Sequence, residues 1–123
     1  MWGSDPEALG GSKLSEEERA LRCRQCAAVI SRPTEIFRMR SEAMVQVFPN
    51  PLGMLREIIT VRAAWGLEIH GPPTTEFTWF EGYAWEIALC ASCRTQVGWR
   101  YQAVQASALP EFFGLLTRAV VEG

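Results

Sequence analysis

Cys23-Arg24-Gln25-Cys26 and Cys90-Ala91-Ser92-Cys93 are two Cys-x-x-Cys turns in a chain with no other cysteine. Such a turn sets two thiolates about 3.5–4 Å apart, the edge of a tetrahedron built on Zn–S bonds of about 2.3 Å. Two turns complete the ligand set and leave no position for water. The expected role of Cys23, Cys26, Cys90 and Cys93 is therefore to hold one structural Zn²⁺ per chain. Disulfides are the competing use of four cysteines. However, Met1-Trp2-Gly3-Ser4-Asp5-Pro6 has neither a basic n-region nor an apolar h-region. A reducing, cytoplasmic location is expected, where thiols serve metals better than disulfides. A thioredoxin-like redox role would need one pair near a βαβ pattern, which the sequence does not show.

Outward from the cysteines, 123 residues and 13.8 kDa make one domain, of a size at which a metal staple usefully supplements a modest core. No apolar run approaches the ~20 residues that span a bilayer, so no membrane partner is expected. The formal charge of −2 and a pI near 5.4 oppose a nucleic-acid groove, which needs a basic stripe. Four thiolates on one Zn²⁺ would add about −2 more. The acids are all Glu except Asp5, and His70 is the single histidine, a thin inventory for acid–base or nucleophilic catalysis.

Residues 1–21 read as a leader, rich in Gly and Ser, in which Ser15-Glu16-Glu17-Glu18 could cap one short helix. Residues 22–123 read as the domain. Glu35–Arg40 and Met44–Phe48 are short strand candidates, and Pro49-Asn50-Pro51-Leu52-Gly53 is a turn. Met54–Ala63 and Gly66–His70 read as strands, broken by Gly71-Pro72-Pro73. Glu86–Leu89 leads into the second cysteine turn and Gln96–Gln102 leaves it. Leu109–Phe113 is expected as one helical turn, and Gly114–Val121 as a closing strand. The whole reads as all-β.

The other concentrated signal is aromatic. Gly71–Trp85 holds Phe77, Trp79, Phe80, Tyr83 and Trp85, five of the chain's thirteen aromatics, among Gly71, Pro72, Pro73 and Gly82. Those breakers disfavour a regular element, so period-2 core packing does not account for all five. Trp99 and Tyr101 lie two apart on one strand face, shortly after the second cysteine turn. An aromatic pocket walled by Trp79, Trp85 and Trp99 with Tyr101 beside it competes with a loop-capped core, where tryptophans usually lie.

The run Glu76-Phe77-Thr78-Trp79-Phe80-Glu81-Gly82-Tyr83-Ala84-Trp85, followed by the second cysteine turn and Gly98-Trp99-Arg100-Tyr101, resembles the thalidomide-binding (CULT) domain of cereblon. The resemblance continues in Phe48–Gly53 and Phe112–Arg118 and covers roughly Cys23 to Val121. It implies two antiparallel sheets meeting at an angle and pinned by zinc, a β-tent, with a cyclic imide ring held between three tryptophans. It also implies that Phe77 C=O accepts the imide N–H, that Trp79 N–H donates to an imide carbonyl, and that Asn50 lines the mouth. The chain offers no counterpart of the amino-terminal protease-like domain that joins eukaryotic cereblon to a ubiquitin ligase. It is therefore similar to single-domain bacterial homologues, and no ubiquitin-ligase adaptor is expected. Phe77 stands where the animal protein has a histidine, which removes any hydrogen bond from that imidazole.

The resemblance makes the expected partner a small cyclic imide: a glutarimide or thalidomide-type ring, a uridine-like nucleoside, or the C-terminal cyclic imide of a damaged protein. The expected function is non-catalytic binding. One alternative is a reader of methylated ammonium groups, since tryptophan faces attract cations. A second is an enzyme resembling methionine sulfoxide reductase, which would need a further cysteine. His70, Glu76, Glu81, Arg38, Arg40 and Arg100 are expected at the surface, and Trp65 in the core.

Overall fold

Leu55–Val61 (LREIITV), the most β-branched stretch of the chain, forms a strand whose Ile58, Ile59 and Val61 are all fully buried. Consecutive buried residues on a pleated strand mean that both faces are covered. The computed structural model describes residues 18–123, so the expected helix at Ser15–Glu18 and most of the leader fall outside the described residues. Within them run ten strands: β1 (Leu21–Cys23), β2 (Val29–Ser31), β3 (Ile36–Phe37), β4 (Gln46–Pro49), β5 (Leu55–Val61), β6 (Leu67–Thr74), β7 (Tyr83–Cys90), β8 (Gln96–Ala103), β9 (Glu111–Leu116) and β10 (Val120–Glu122). The described residues contain no α-helix; 3₁₀ turns occupy Pro33–Glu35 and Thr117–Ala119.

The strands make two sheets with every pairing antiparallel, as the all-β reading requires. A small sheet has the order β10-β1-β2, and a large one β3-β5-β9-β8-β7-β6 with β4 also paired to β5. β1 ends at Cys23 in the small sheet and β7 ends at Cys90 in the large one. The cysteine turns therefore sit where the two sheets are joined. Beneath the large sheet Phe112, Leu115, Ile58 and Tyr101 pack with Leu21 and Ile30 of the small sheet in one core.

Several local expectations change. Gly71-Pro72-Pro73 does not break the chain: β6 runs through it to Thr74, with a register irregularity between His70 and Thr74. β6 is the edge of the large sheet, where a proline's missing N–H interrupts no ladder. β7 begins at Tyr83 rather than Glu86, so Tyr83 and Trp85 stand on a strand. Leu109–Phe113 is not helical. Its last residues open β9, whose EFFGLL run lies between β5 and β8 and is apolar on both faces, so it carries no alternation. Trp65 is 44% exposed and is not a core residue. Arg100 is no solvated arginine: its Nε and Nη2 donate to Glu86 Oε1 at 3.0 and 2.7 Å, directly across β7 and β8, and Glu86 is only 8% exposed. His70 stays at the surface beside Glu68.

Candidate metal centre and ligand cavity

The two cysteine turns fold alike. In the first, Cys23 N–H donates to Ala28 O (2.8 Å) and Ala27 N–H to Cys23 O (2.8 Å). In the second, Cys90 N–H donates to Thr95 O (2.8 Å) and Arg94 N–H to Cys90 O (2.7 Å). The residue after each pair is left-handed, Ala27 at φ 68 and Arg94 at φ 69. Each turn thus curls tightly enough to aim both sulfurs the same way.

All four Sγ atoms lie within 4.8 Å of one another, with Cys23–Cys93 and Cys26–Cys90 at 3.6 Å. A disulfide needs about 2.05 Å, whereas 3.6 Å matches the edge of a zinc–thiolate tetrahedron. The four cysteines therefore fit a Zn²⁺ ion. The thiols are unlike one another before a metal arrives. Burial pushes the Cys23 thiol up to about 11, while the Thr95 hydroxyl and backbone N–H beside the half-buried Cys93 thiol bring it down to about 6. Backbone N–H groups of Gln25 and Cys26 also point at Cys23, donors suited to a thiolate.

At the other end of β7 and β8 an apolar cavity of about 90 Å³ is lined by Asn50, Pro51, Phe77, Trp79, Trp85, Trp99 and Tyr101. That is room for a few waters or one small ring. The strand register explains part of the lining: Trp85 pairs directly with Tyr101, and Ile87 with Trp99, so Trp85, Trp99 and Tyr101 share one sheet face. Trp79 comes from the loop between β6 and β7 and meets Trp99 edge-on at 4.9 Å. Behind Trp79 lies Phe48 of β4, stacked at 5.1 Å, and behind Phe48 lies Phe80. Phe80, Tyr101, Tyr83 and Phe112 form an aromatic lattice with ring centroids 5.0–5.1 Å apart.

Hydrogen bonds lock the walls. Trp79 Nε1–H donates to Pro49 O at 2.9 Å and so fastens the β4–β5 turn to the aromatic loop. Trp85 Nε1–H donates to Glu76 O at 2.7 Å and fastens that loop to β7. The Thr78 hydroxyl lies 2.8 Å from Tyr83 O and 3.2 Å from Phe80 O, tying the loop's middle to its end. Asn50 Oδ1 accepts from Leu52 N–H and Met54 N–H, so its side chain closes the turn at the mouth. Phe77 is left-handed, φ 58, which costs a residue with a Cβ on the order of 1 kcal/mol, and the residue is 68% exposed. Neither Phe77 C=O nor Trp79 N–H bonds any described residue.

The residues expected to hold metal or line a pocket thus fall in two places: the four cysteines in a single cluster, and Asn50, Phe77, Trp79, Trp85, Trp99 and Tyr101 around the cavity. Pro51, Phe48 and Thr78 were not singled out. Pro51 neighbours Asn50, and Phe48 lies two residues from the inward-facing Gln46 on β4, a period-2 signal too short to read alone. Glu76, Glu81 and His70 do not line the cavity. Among the described residues no helix is long and apolar enough to cross a membrane.

Residues 19–121 match the family model described as Yippee zinc-binding/DNA-binding/Mis18, centromere assembly. Similar curated proteins carry the name protein cereblon. The one from Gallus gallus is 37% identical over 103 residues, covering 83% of this chain and 23% of the relative. The Danio rerio protein is 37% identical over 103 residues (83% and 24%), and that of Drosophila willistoni 36% over 113 residues (89% and 18%). The chain thus spans about a fifth to a quarter of the length of these relatives. The resemblance seen in the aromatic loop and cysteine turns therefore extends across the domain.

Proposed function

The chain belongs to the Yippee-Mis18 family and resembles cereblon, and from that premise we propose that it is a non-catalytic module, held by one structural Zn²⁺, that takes a cyclic imide into the three-tryptophan cavity. The observation carrying this reading is a main-chain acceptor and a main-chain donor, Phe77 C=O and Trp79 N–H, left without partners at the rim of a ring-sized apolar cavity. An imide edge is one N–H flanked by two C=O groups and complements that pair. Ring methylenes would bury against the indole faces at about 25 cal/mol per Å². A ligand without the matching edge leaves buried groups unpaired, at about 1–3 kcal/mol each. A free glutarimide or thalidomide-type ring, a uridine-like nucleoside and a peptide ending in a cyclic imide all present this edge.

Cys23, Cys26, Cys90 and Cys93 would fill the coordination of a bound Zn²⁺, which would then pin the sheets and supply no chemistry to the cavity. The lining holds no carboxylate, imidazole, thiol or amine, and its one titratable group, the Tyr101 phenol, is held protonated by burial. The same composition weakens the methyl-ammonium reading, which would gain from a carboxylate. With every cysteine in the metal cluster, no thiol remains for a sulfoxide-reductase nucleophile. The acidic balance of the chain favours neither nucleic acid nor an anionic partner.

The test is a titration of glutarimide and N-methylglutarimide followed by tryptophan fluorescence. Glutarimide should quench at micromolar concentration and be returned unopened. The N-methyl compound, which lacks the donor and sets a methyl against Phe77 C=O, should not bind measurably. Equal binding of both would overturn the imide-edge reading. Salt-sensitive binding of a tetramethylammonium probe in its place would favour the cation reader.

A further inference from the structure

Behind the cavity, on the opposite face of the large sheet, lies a carboxylate that does not line it. Glu86 follows Trp85 on β7, so its side chain leaves the other face of the strand, and the residue is 8% exposed. Its register partner is Arg100, which stands between Trp99 and Tyr101 on β8. Arg100 Nε and Nη2 both donate to Glu86 Oε1, at 3.0 and 2.7 Å, and Nη1 lies 4.0 Å from Glu111 Oε1 of β9. Glu86 Oε2 lies against β6. A Cβ on Gly71 would come within 2.6 Å of it, whereas the nearest atoms of Pro73 would stand at 3.3 Å or more.

That approach falls at the irregularity of β6. His70 pairs with Ile87 and Thr74 with Trp85, so Gly71, Pro72 and Pro73 all stand opposite Glu86. Two of these three have no N–H to give a ladder. Just beyond them the chain enters the loop that carries Phe77 and Trp79. Burying a carboxylate with a guanidinium costs much of what their attraction returns, so such a pair is a poor source of net stability. Its place is more telling: one carboxylate lies between the stem of the aromatic loop and the strand that supplies Trp99 and Tyr101. We propose that Glu86 is a positioning residue of the cavity. It spaces the β6 bulge from β7 and β8, and so sets where the loop delivers Phe77 and Trp79 opposite Trp85 and Trp99. The inference rests on the reading that this cavity is the binding site.

Two readouts test it in Glu86→Gln, which keeps the side chain's size and an oxygen for Arg100 but drops the charge. The first needs no ligand. Trp79 and Trp85 tie the loop down through Pro49 O and Glu76 O, so their indole N–H groups should exchange with solvent about fivefold faster by NMR, while that of exposed Trp65 stays unchanged. The second is calorimetric titration with glutarimide, whose affinity should fall about 5–10-fold, the scale of one charge-assisted hydrogen bond. A merely stabilising ion pair gives the reverse: earlier melting, with affinity and indole exchange unaltered well below it. That result overturns the proposal. Gly71→Ala approaches the carboxylate from an exposed position and carries the test if Glu86→Gln fails to fold. It should reproduce both effects in the parent, although Gly71 does not line the cavity, and neither in Glu86→Ala, where the space is open. Equal effects in the two backgrounds overturn the proposal as well. If glutarimide does not bind the unaltered protein, the imide reading falls, and indole exchange alone decides the role of Glu86.

Discussion

The β7–β8 hairpin carries a different site at each end, and the two are built in opposite ways. At one end Cys90 and Cys93 lie within a single turn whose backbone bonds repeat those around Cys23 and Cys26. Each half of the metal centre is complete within about six residues, and folding has only to bring two finished halves together. At the other end the lining is gathered from four separate parts of the chain. Trp85 comes from β7, Trp99 and Tyr101 from β8, Trp79 and Phe77 from a loop, and Asn50 and Pro51 from a turn on β4–β5. The metal end is made of local geometry, and the cavity end of register and loop anchoring. Loss of metal should therefore unmake the molecule, whereas loss of a wall should unmake only recognition.

The largest expected effect tests that asymmetry directly. Chelation, or Cys90→Ser, should abolish cooperative melting followed by near-UV circular dichroism, because forming the site and folding are coupled. A metal-free protein that keeps its transition and its glutarimide affinity would show that the cavity end stands alone. Next comes Gly98→Ala. A Cβ at Gly98 would run into the Gly114 carbonyl where β8 pairs with β9, one residue from Trp99, and should cost about 1–3 kcal/mol in denaturant unfolding while weakening binding as Trp99 shifts. Trp79→Ala, Trp85→Ala and Trp99→Ala should each weaken glutarimide binding by about 1–3 kcal/mol, with metal content unchanged by atomic absorption. Trp79→Ala should also free the Pro49 carbonyl and loosen the mouth. Unchanged affinity in all three would move the site elsewhere. The smallest effect belongs to Phe77→Ala. The residue is exposed and the proposed contact is main-chain, so glutarimide affinity should change by under about 0.5 kcal/mol.

Legibility followed the same division. The cysteine ligands could be read because a Cys-x-x-Cys turn is its own structure. The six cavity residues stood out by aromatic crowding and by resemblance, but their supports did not. Tyr83 and Trp85 sit on a regular strand although Gly82 precedes them, because the ladder to β8 overrides the local breaker. β6 passes through two prolines because it happens to be an edge. Arg100 and Glu86 face each other across a register that no single strand announces. Trp65 carries a core composition and an exposed position, with its backbone N–H donated to Ile30 O while its ring stays outside.

By itself the sequence determined what local chemistry determines: four soft ligands at tetrahedral spacing, an all-β pattern punctuated by Gly and Pro, a chain too acidic for a phosphate groove, and an aromatic excess in one segment. The tertiary structure alone decided which aromatics face a cavity and which fill the lattice behind it, and that two wall indoles spend their N–H groups on the rim. The reason is physical. Ligand spacing within a turn is fixed by a few dihedral angles, whereas a cavity is the space left over when strands from distant parts of the chain settle their register.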